Sequence, residues 1–248
     1  MKPDTMHSPF RAPIPVETLL LAYRSGIFPM ADRRDDQDIF WVEPRDRAIL
    51  PLSAIHVSKS MRKVLRRDAF AVTVNRRFEE VVRACAEPRP GHPETWISER
   101  IVQSYCGLHR AGHAHSIECW AQDGDEGEPR LVGGLYGVSF DRVFCGESMF
   151  SRADNSSKVG LCWLVALMRQ AGFALLDCQF MTDHLASMGA QEITQADYMH
   201  RVAAARGEPK ASLGAAWRHF MTADQSCEGA GRSSSPGKRI AQSLTQTS

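Results

Sequence analysis

Residues 131–180 read LVGGLYGVSFDRVFCGESMFSRADNSSKVGLCWLVALMRQAGFALLDCQF. The order of patterns in this stretch decides the fold. A long apolar run, 131–140, meets a turn signal at Asp141 and then the short run VFC, so two antiparallel strands joined by a tight turn are predicted. The polar segment GESMFSRADNSSK leads into VGLCWLVALMRQAG, which is apolar nearly all round and therefore predicts a buried helix. FALLDCQF, 173–180, is again of strand length. Strands in a meander beside a buried helix fit an α+β layout.

FALLDCQF carries two polar side chains set two apart, Asp177 and Gln179. Period-two geometry puts both on one face of the strand, with apolar neighbours on the other. Such a pair either hydrogen-bonds to nearby backbone or sets a carboxylate beside an amide so that its carbonyl oxygen is aimed as a proton acceptor. Spacing alone leaves both readings open.

Working outward, PVETLLLAYRSG predicts an amphipathic helix between Pro15 and Gly26, and IFWV a strand. In SKSMRKVLRR, Met61, Val64 and Leu65 recur at helical spacing while Lys59, Arg62, Lys63, Arg66 and Arg67 fill the other faces without an acid. A single-sign helix of this kind points to phosphate. FAVTV, a helix over 76–86, a helix from Ser98 to Gly112 and the strand HAHSIECW follow. EPRPGHPE is read as a Pro-rich loop and DGDEGE as an acidic turn. After the opening stretch come helices capped by Thr182 and Thr194. The predicted layout is a small N-terminal domain over 1–70, a larger domain over 71–224, and a Ser/Gly-rich tail over 225–248 that buries too little to order itself.

With 248 residues, 43% hydrophobic and 24% charged, the chain suffices for one large core or a large and a small domain. A net charge of +1 gives no hint of partners, so only local clustering speaks. Seven scattered cysteines without a C-x-x-C pair read as reduced core residues of a cytoplasmic protein. MKPDTMHSPFRAPIP has no apolar signal region and no run of apolar residues spans a membrane, so neither secretion nor membrane insertion is expected. His113 and His115 lack a third ligand by spacing, and no metal is expected. The glycines of GGLYG fit a bulge or a ligand pressed on backbone equally well. Glu147 and Ser148, framed by Phe144, Met149 and Phe150, suggest a pocket for an apolar group and a cation, or an ordinary loop with a capping acid.

GIFPM, TWISERIVQSYCGLHRAGHAHSIECW, LVGGLYGV, FCGESMFSRADNSSKVGL and LLDCQFMTDHLASMGAQEI occur in order between about residues 16 and 200. Together they resemble the successive blocks of leucyl/phenylalanyl-tRNA–protein transferases. The resemblance implies transfer of Leu or Phe, less well Met, from aminoacyl-tRNA to the α-amino group of proteins beginning with Arg or Lys, marking them for degradation by the N-end rule. It implies a small N-terminal domain plus a C-terminal domain like GCN5-type acetyltransferases, with a mixed, largely antiparallel sheet and no cofactor.

By the same resemblance Asp177 and Gln179 are catalytic. Leu135, Phe144, Met149, Phe150 and Leu164 line the side-chain pocket with Glu147 and Ser148 at its edge, and Trp96 lies beside the aminoacyl-adenosine. Met30 stands where many members have Trp, and Leu164 where some have Phe, which bears on side-chain preference. The expected partners are Leu-tRNA, Phe-tRNA and acceptor proteins, with no membrane, and the chain is expected to be a monomer. An acid, Glu147 or Asp177, is expected to hold the acceptor's Arg or Lys side chain. The rival readings are a CoA-dependent N-acetyltransferase of the same fold, a peptidoglycan-branch aminoacyl-tRNA-dependent transferase, and a non-enzymatic RNA-binding module.

Overall fold

The computed structural model describes residues 11–88, 94–122, 127–222 and 234–245. Helix α1 (Val16–Arg24) precedes a two-stranded antiparallel ribbon of β1 (Phe28–Met30) and β2 (Phe40–Val42). Strand β3 (Asp46–Ile49) leads through a 3-10 turn at Leu52–Ala54 to α2 (Lys59–Arg66), capped by the Ser58 hydroxyl accepting from the Met61 N–H. Next come β4 (Ala71–Val74), α3 (Phe78–Cys85), α4 (Glu99–Arg110), β5 (Ala114–Ala121), β6 (Arg130–Phe140) and β7 (Val143–Ser151). Helix α5 (Ser156–Ala171), β8 (Leu175–Gln179), α6 (Asp183–Ser187), β9 (Gln191–Thr194) and α7 (Gln195–Ala204) follow, then α8 (Leu213–Thr222) and α9 (Pro236–Ser243).

Seven strands form one mixed sheet in the order β4-β5-β6-β7-β8-β3-β9, antiparallel except for the parallel pair β7–β8. On one face α5 buries nearly its whole circumference beneath α2, α8 and α9, as its all-round apolar sequence requires. On the other, α1, α3, α4 and α7 close a second core around Tyr105, Tyr136 and Tyr198. The predicted α+β class and the antiparallel meander over β5–β7 are found.

Three expectations change. The boundary expected near residue 70 does not divide the sheet, because β3 lies between β8 and β9. The segment after VFC is strand, not loop: β7 runs on to Ser151, paired with β6 as far as Gly133. The tail expected to be disordered contains α9, whose Ile240 and Ala241 are fully buried against α2 and α5. Average Ser/Gly composition hid an apolar stripe of Ile240, Ala241 and Leu244. The close approach is specific, since a Cβ at Gly237 would lie 2.0 Å from the Leu65 carbonyl oxygen. The remainder of that tail, 225–233 and 246–248, lies outside the described residues, as do 1–10 and parts of the Pro-rich loop and the acidic turn.

The β6 glycines answer to close packing by the protein's own backbone and side chains. A Cβ at Gly137 would meet the Cys145 carbonyl oxygen at 2.2 Å and the Phe144 ring at 2.4 Å, and one at Gly134 the Ile117 carbonyl oxygen at 2.7 Å. Close packing within the sheet at Gly134 and Gly137, with a bulge beside Gly137, and against the Ser156 side chain of α5 at Gly133 accounts for them.

Candidate active site

The parallel register of β7 and β8 ends at Cys145↔Asp177, although both strands continue. Each bulges where they part. Against β6 the register jumps from Gly137↔Gly146 to Tyr136↔Ser148, leaving Glu147 as the extra residue on β7. Against β3 it jumps from Ile49↔Asp177 to Ala48↔Gln179, leaving Cys178 as the extra residue on β8. A bulge bends its strand and re-aims a side chain. Here two bulges open a wedge between strands that would otherwise pair.

That wedge is a cavity of about 570 Å³. Leu135, Met149, Phe150 and Leu164 supply apolar wall, and Trp96, Glu147, Ser148 and Gln179 line the same cavity. These eight residues thus line one cavity. Phe144 does not: it is fully buried in the α5-side core, beside Gly137. Along β7, odd and even positions face opposite ways until the Glu147 bulge, so Phe144 and Phe150 are not equivalent. The wall also includes Phe28 and Met30 from β1 and Phe180, His184 and Leu185 beyond β8, which spacing did not single out.

Asp177 does not reach the cavity. Its carboxylate is fully buried and receives Arg47 Nε at 2.9 Å on Oδ1, and on Oδ2 Arg47 Nη2 at 2.6 Å and the Tyr198 hydroxyl at 3.1 Å. Burial works against the Arg47 charge, but Asp177 outweighs it and raises the guanidinium's pKa. Arg47 also lies 4.3 Å from the Tyr198 ring centre and 5.0 Å from that of Phe28, and donates to the Gly26 carbonyl at 3.0 Å. A bidentate, stacked guanidinium of this kind ties the β1 segment to the end of β8. Neither Arg47 nor Tyr198 could be found from spacing, being 130 and 21 residues from Asp177.

Gln179 has φ +62°, in the left-handed region where a non-glycine residue is strained by about 1–3 kcal/mol. Its N–H donates to Asp177 Oδ1 at 2.8 Å, which holds the backbone there. The side chain is held separately: Nε2 donates to Glu147 Oε1 at 2.8 Å, and Glu147 Oε2 accepts from the Tyr105 hydroxyl at 2.8 Å, with the Tyr23 hydroxyl behind it. With Nε2 engaged, Gln179 Oε1 has no hydrogen bond among the described residues, and the residue lines the cavity. Burial raises the Glu147 carboxyl to about 7, against the hydrogen bonds from Tyr105, Tyr23 and Gln179. The site therefore presents an amide oxygen without a hydrogen bond among the described residues, beside a carboxylate whose pKa burial raises to about 7, on a residue that lines an apolar cavity.

Four of the five cations of the basic helix lie on α2, and the fifth, Arg67, is its C-cap. Met61 and Leu65 are buried, leaving Lys59, Lys63, Arg66 and Arg67 exposed and Arg62 partly so. Just before this helix, the His56 N–H meets the Met188 carbonyl at 2.8 Å, next to α6 on the cavity wall. His115 is spent on Asn75 and Ser139, and burial drops its pKa to about 4. No group of three or more metal-ligating side chains occurs among the described residues, and none of their helices is long and apolar enough to cross a membrane.

The family model for leucyl/phenylalanyl-tRNA protein transferase matches residues 49–203, and that for the N-terminal domain of the same family matches 13–45. A leucyl/phenylalanyl-tRNA–protein transferase of Novosphingobium aromaticivorans is 54% identical, the match covering 95% of this chain and 97% of that protein. Proteins of the same name from Zymomonas mobilis (54% identity, 75% of this chain and 68% of that one) and Rhizorhabdus wittichii (55%, 74% and 71%) also match. Among solved structures, L-PGS from Bacillus licheniformis aligns with a TM-score of 0.37 at 14% identity, over 69% of this chain and 55% of that one.

Proposed function

The chain belongs to the leucyl/phenylalanyl-tRNA protein transferase family, and from that premise we propose that it moves Leu or Phe, less well Met, from aminoacyl-tRNA to the α-amino group of proteins beginning with Arg or Lys. Membership makes it an aminoacyltransferase between tRNA and protein. The finer claims, including the N-end-rule role and the GCN5-type class of the sheet, are the proposal. The observation that carries it is the largely apolar cavity that Gln179 lines. The direct test incubates the protein with radiolabelled Leu-tRNA and a protein starting with Arg. Label should enter the acceptor, and no label with either Leu-tRNA or Phe-tRNA would end the reading.

An aminoacyl ester is already activated, so the enzyme must align an amine with the carbonyl carbon, manage protons and hold the donor. Gln179 Oε1 accepts a hydrogen bond from the attacking amine and aims it. An amide is too weak a base to do more. Asp177 serves as a positioning residue: with its oxygens taken by Arg47, Tyr198 and the Gln179 N–H, it has no place for an acceptor's Arg or Lys side chain. The expectation that Asp177 binds that side chain is therefore withdrawn.

Glu147 gives a pH signature. Ionised, it accepts from Gln179 Nε2 and leaves Oε1 free; protonated, it can donate to Oε1 and turn the amide away from the amine. Rate should therefore fall as pH drops through about 7. Stability runs the other way. A carboxyl whose folded pKa is raised favours the folded state most below its unfolded pKa, and that contribution is lost as pH rises through about 7. The acceptor amine also titrates near this range, so the rate should be measured with acceptors of different amine pKa. The Glu147 limb should stay in place between acceptors and vanish in Glu147→Gln, whereas a limb that moves with the acceptor belongs to the amine.

A cavity lined by Leu, Met and Phe discriminates by only about 1–3 kcal/mol per methylene, so affinity for the donor must come largely from tRNA phosphates. We assign those contacts to α2, through Lys59, Arg62, Lys63, Arg66 and Arg67. Lys63→Glu with Arg66→Glu should raise KM for aminoacyl-tRNA and reduce the slope of log affinity against log salt by about 2. An unchanged slope would move the tRNA site elsewhere.

A further inference from the structure

An acceptor beginning with Arg or Lys brings two groups to the site, the amine and a cationic side chain on the same carbon. Glu147 is the only acid among the described residues that line the cavity, and both its oxygens are engaged, by Gln179 Nε2 and the Tyr105 hydroxyl. An aromatic face holds a cation without a carboxylate. Five aromatic side chains line the cavity. Tyr136 and Phe150 are buried, Phe28 is buried and already faces Arg47 at 5.0 Å, and Trp96 is partly buried against the second core. Phe180 alone is exposed, at 48%, and no cation lies over its ring among the described residues.

The place of this ring is fixed from two sides. The Phe180 N–H donates to the Cys178 carbonyl at 2.8 Å, closing a three-residue turn with Gln179 at its centre, at φ +62°. The ring itself packs edge-on against Phe28, with centres 5.8 Å apart and planes at 77°. The Cα atoms of Gln179 and Phe180 are about 3.8 Å apart, and both side chains line the cavity. We propose that Phe180 determines specificity for the acceptor: the exposed face of its ring holds the guanidinium or ammonium of the first residue while Gln179 Oε1 aims that residue's amine. The inference rests on the transferase reading. Because the ring is half-exposed, the cation keeps part of its water and is spared the cost of full burial. A neutral side chain gains no attraction from the ring's quadrupole, so the same contact selects charge.

The test uses Leu-tRNA as donor and two acceptor peptides, identical except that one begins with Arg and the other with citrulline, its neutral isostere. Phe180→Leu keeps an apolar side chain and removes the π face. It should raise KM for the Arg peptide about tenfold, while KM for the citrulline peptide and for Leu-tRNA stays close to its starting value. Phe180→Tyr keeps the face and should behave as the unaltered protein does. An unchanged KM for the Arg peptide in Phe180→Leu, an equal rise for both peptides, a rise in KM for Leu-tRNA, or the same defect in Phe180→Tyr would overturn the proposal. Equal KM for the two peptides with the unaltered protein would overturn it as well. If Phe180→Leu does not fold, Phe180→Met, which also lacks a π face, is read by the same outcomes. If the unaltered protein moves Leu to neither peptide, the transferase reading fails instead.

Discussion

Replacing Asp177 by Ala is expected to remove about 3–5 kcal/mol of stability, because it leaves the Arg47 guanidinium buried without its counter-charge. Adding Arg47→Met should return most of that loss, since a buried ion pair replaced by apolar groups is often neutral in stability. The double variant should nonetheless remain nearly inactive. Asp177 also holds the Gln179 N–H at 2.8 Å and with it the backbone at φ +62°. Without that bond β8 can relax toward extended geometry and carry the amide away from the cavity. Chemical denaturation and single-turnover transfer, measured on both variants, separate the two roles. If the double variant recovers activity together with stability, Asp177 serves only the fold.

Much of this fold was legible in the sequence because burial imposes a period. Helices α1 to α5 follow apolar spacings that leave one face, or for α5 nearly every face, in the core. Strands β3 and β9 are four residues each, too short for alternation to stand out. Helix α9 was obscured because its stripe has only three apolar positions within a Ser/Gly-rich segment. The proximity of Asp177 and Gln179 was also visible, but not as a shared strand face: the bulge at Cys178 lies between them, and Gln179 lines the cavity while Asp177 does not. What holds the pair was not. The bulges at Glu147 and Cys178 are properties of register between strands, and Arg47 reaches Asp177 only through the neighbour relation of β3 and β8. Spacing along one strand carries no information about its partner's stagger. For the same reason Phe144, two residues before Gly146, was placed in the cavity although the alternation before the bulge points it into the core.

Gln179→Ala should lower kcat by about 10²–10⁴-fold, the range of a single aligned proton-transfer or orienting group, while KM for aminoacyl-tRNA stays close to its starting value. The cavity walls that we propose receive the aminoacyl side chain belong mostly to β6, β7 and α5, and the substitution leaves them in place. Gln179→Asn should do little better, because a side chain one methylene shorter cannot reach Glu147 Oε1 from the same backbone. Whether the amide aligns the amine or removes its proton is decided by the nucleophile. A protein's α-amine needs to be aimed, whereas hydroxylamine is small, uncharged at neutral pH and reactive from many directions. If Gln179 aligns, the variant's deficit against bound Leu-tRNA should be much smaller with hydroxylamine than with a protein acceptor. An equal deficit with both would mean that Gln179 acts on the ester itself, and unchanged turnover with the protein acceptor would remove it from the mechanism. The geometry favours alignment: the one free acceptor on the residue is held in place from both sides, by Asp177 through the backbone and by Glu147 through the side chain. Such double support fixes a direction, and direction is what an already activated ester lacks.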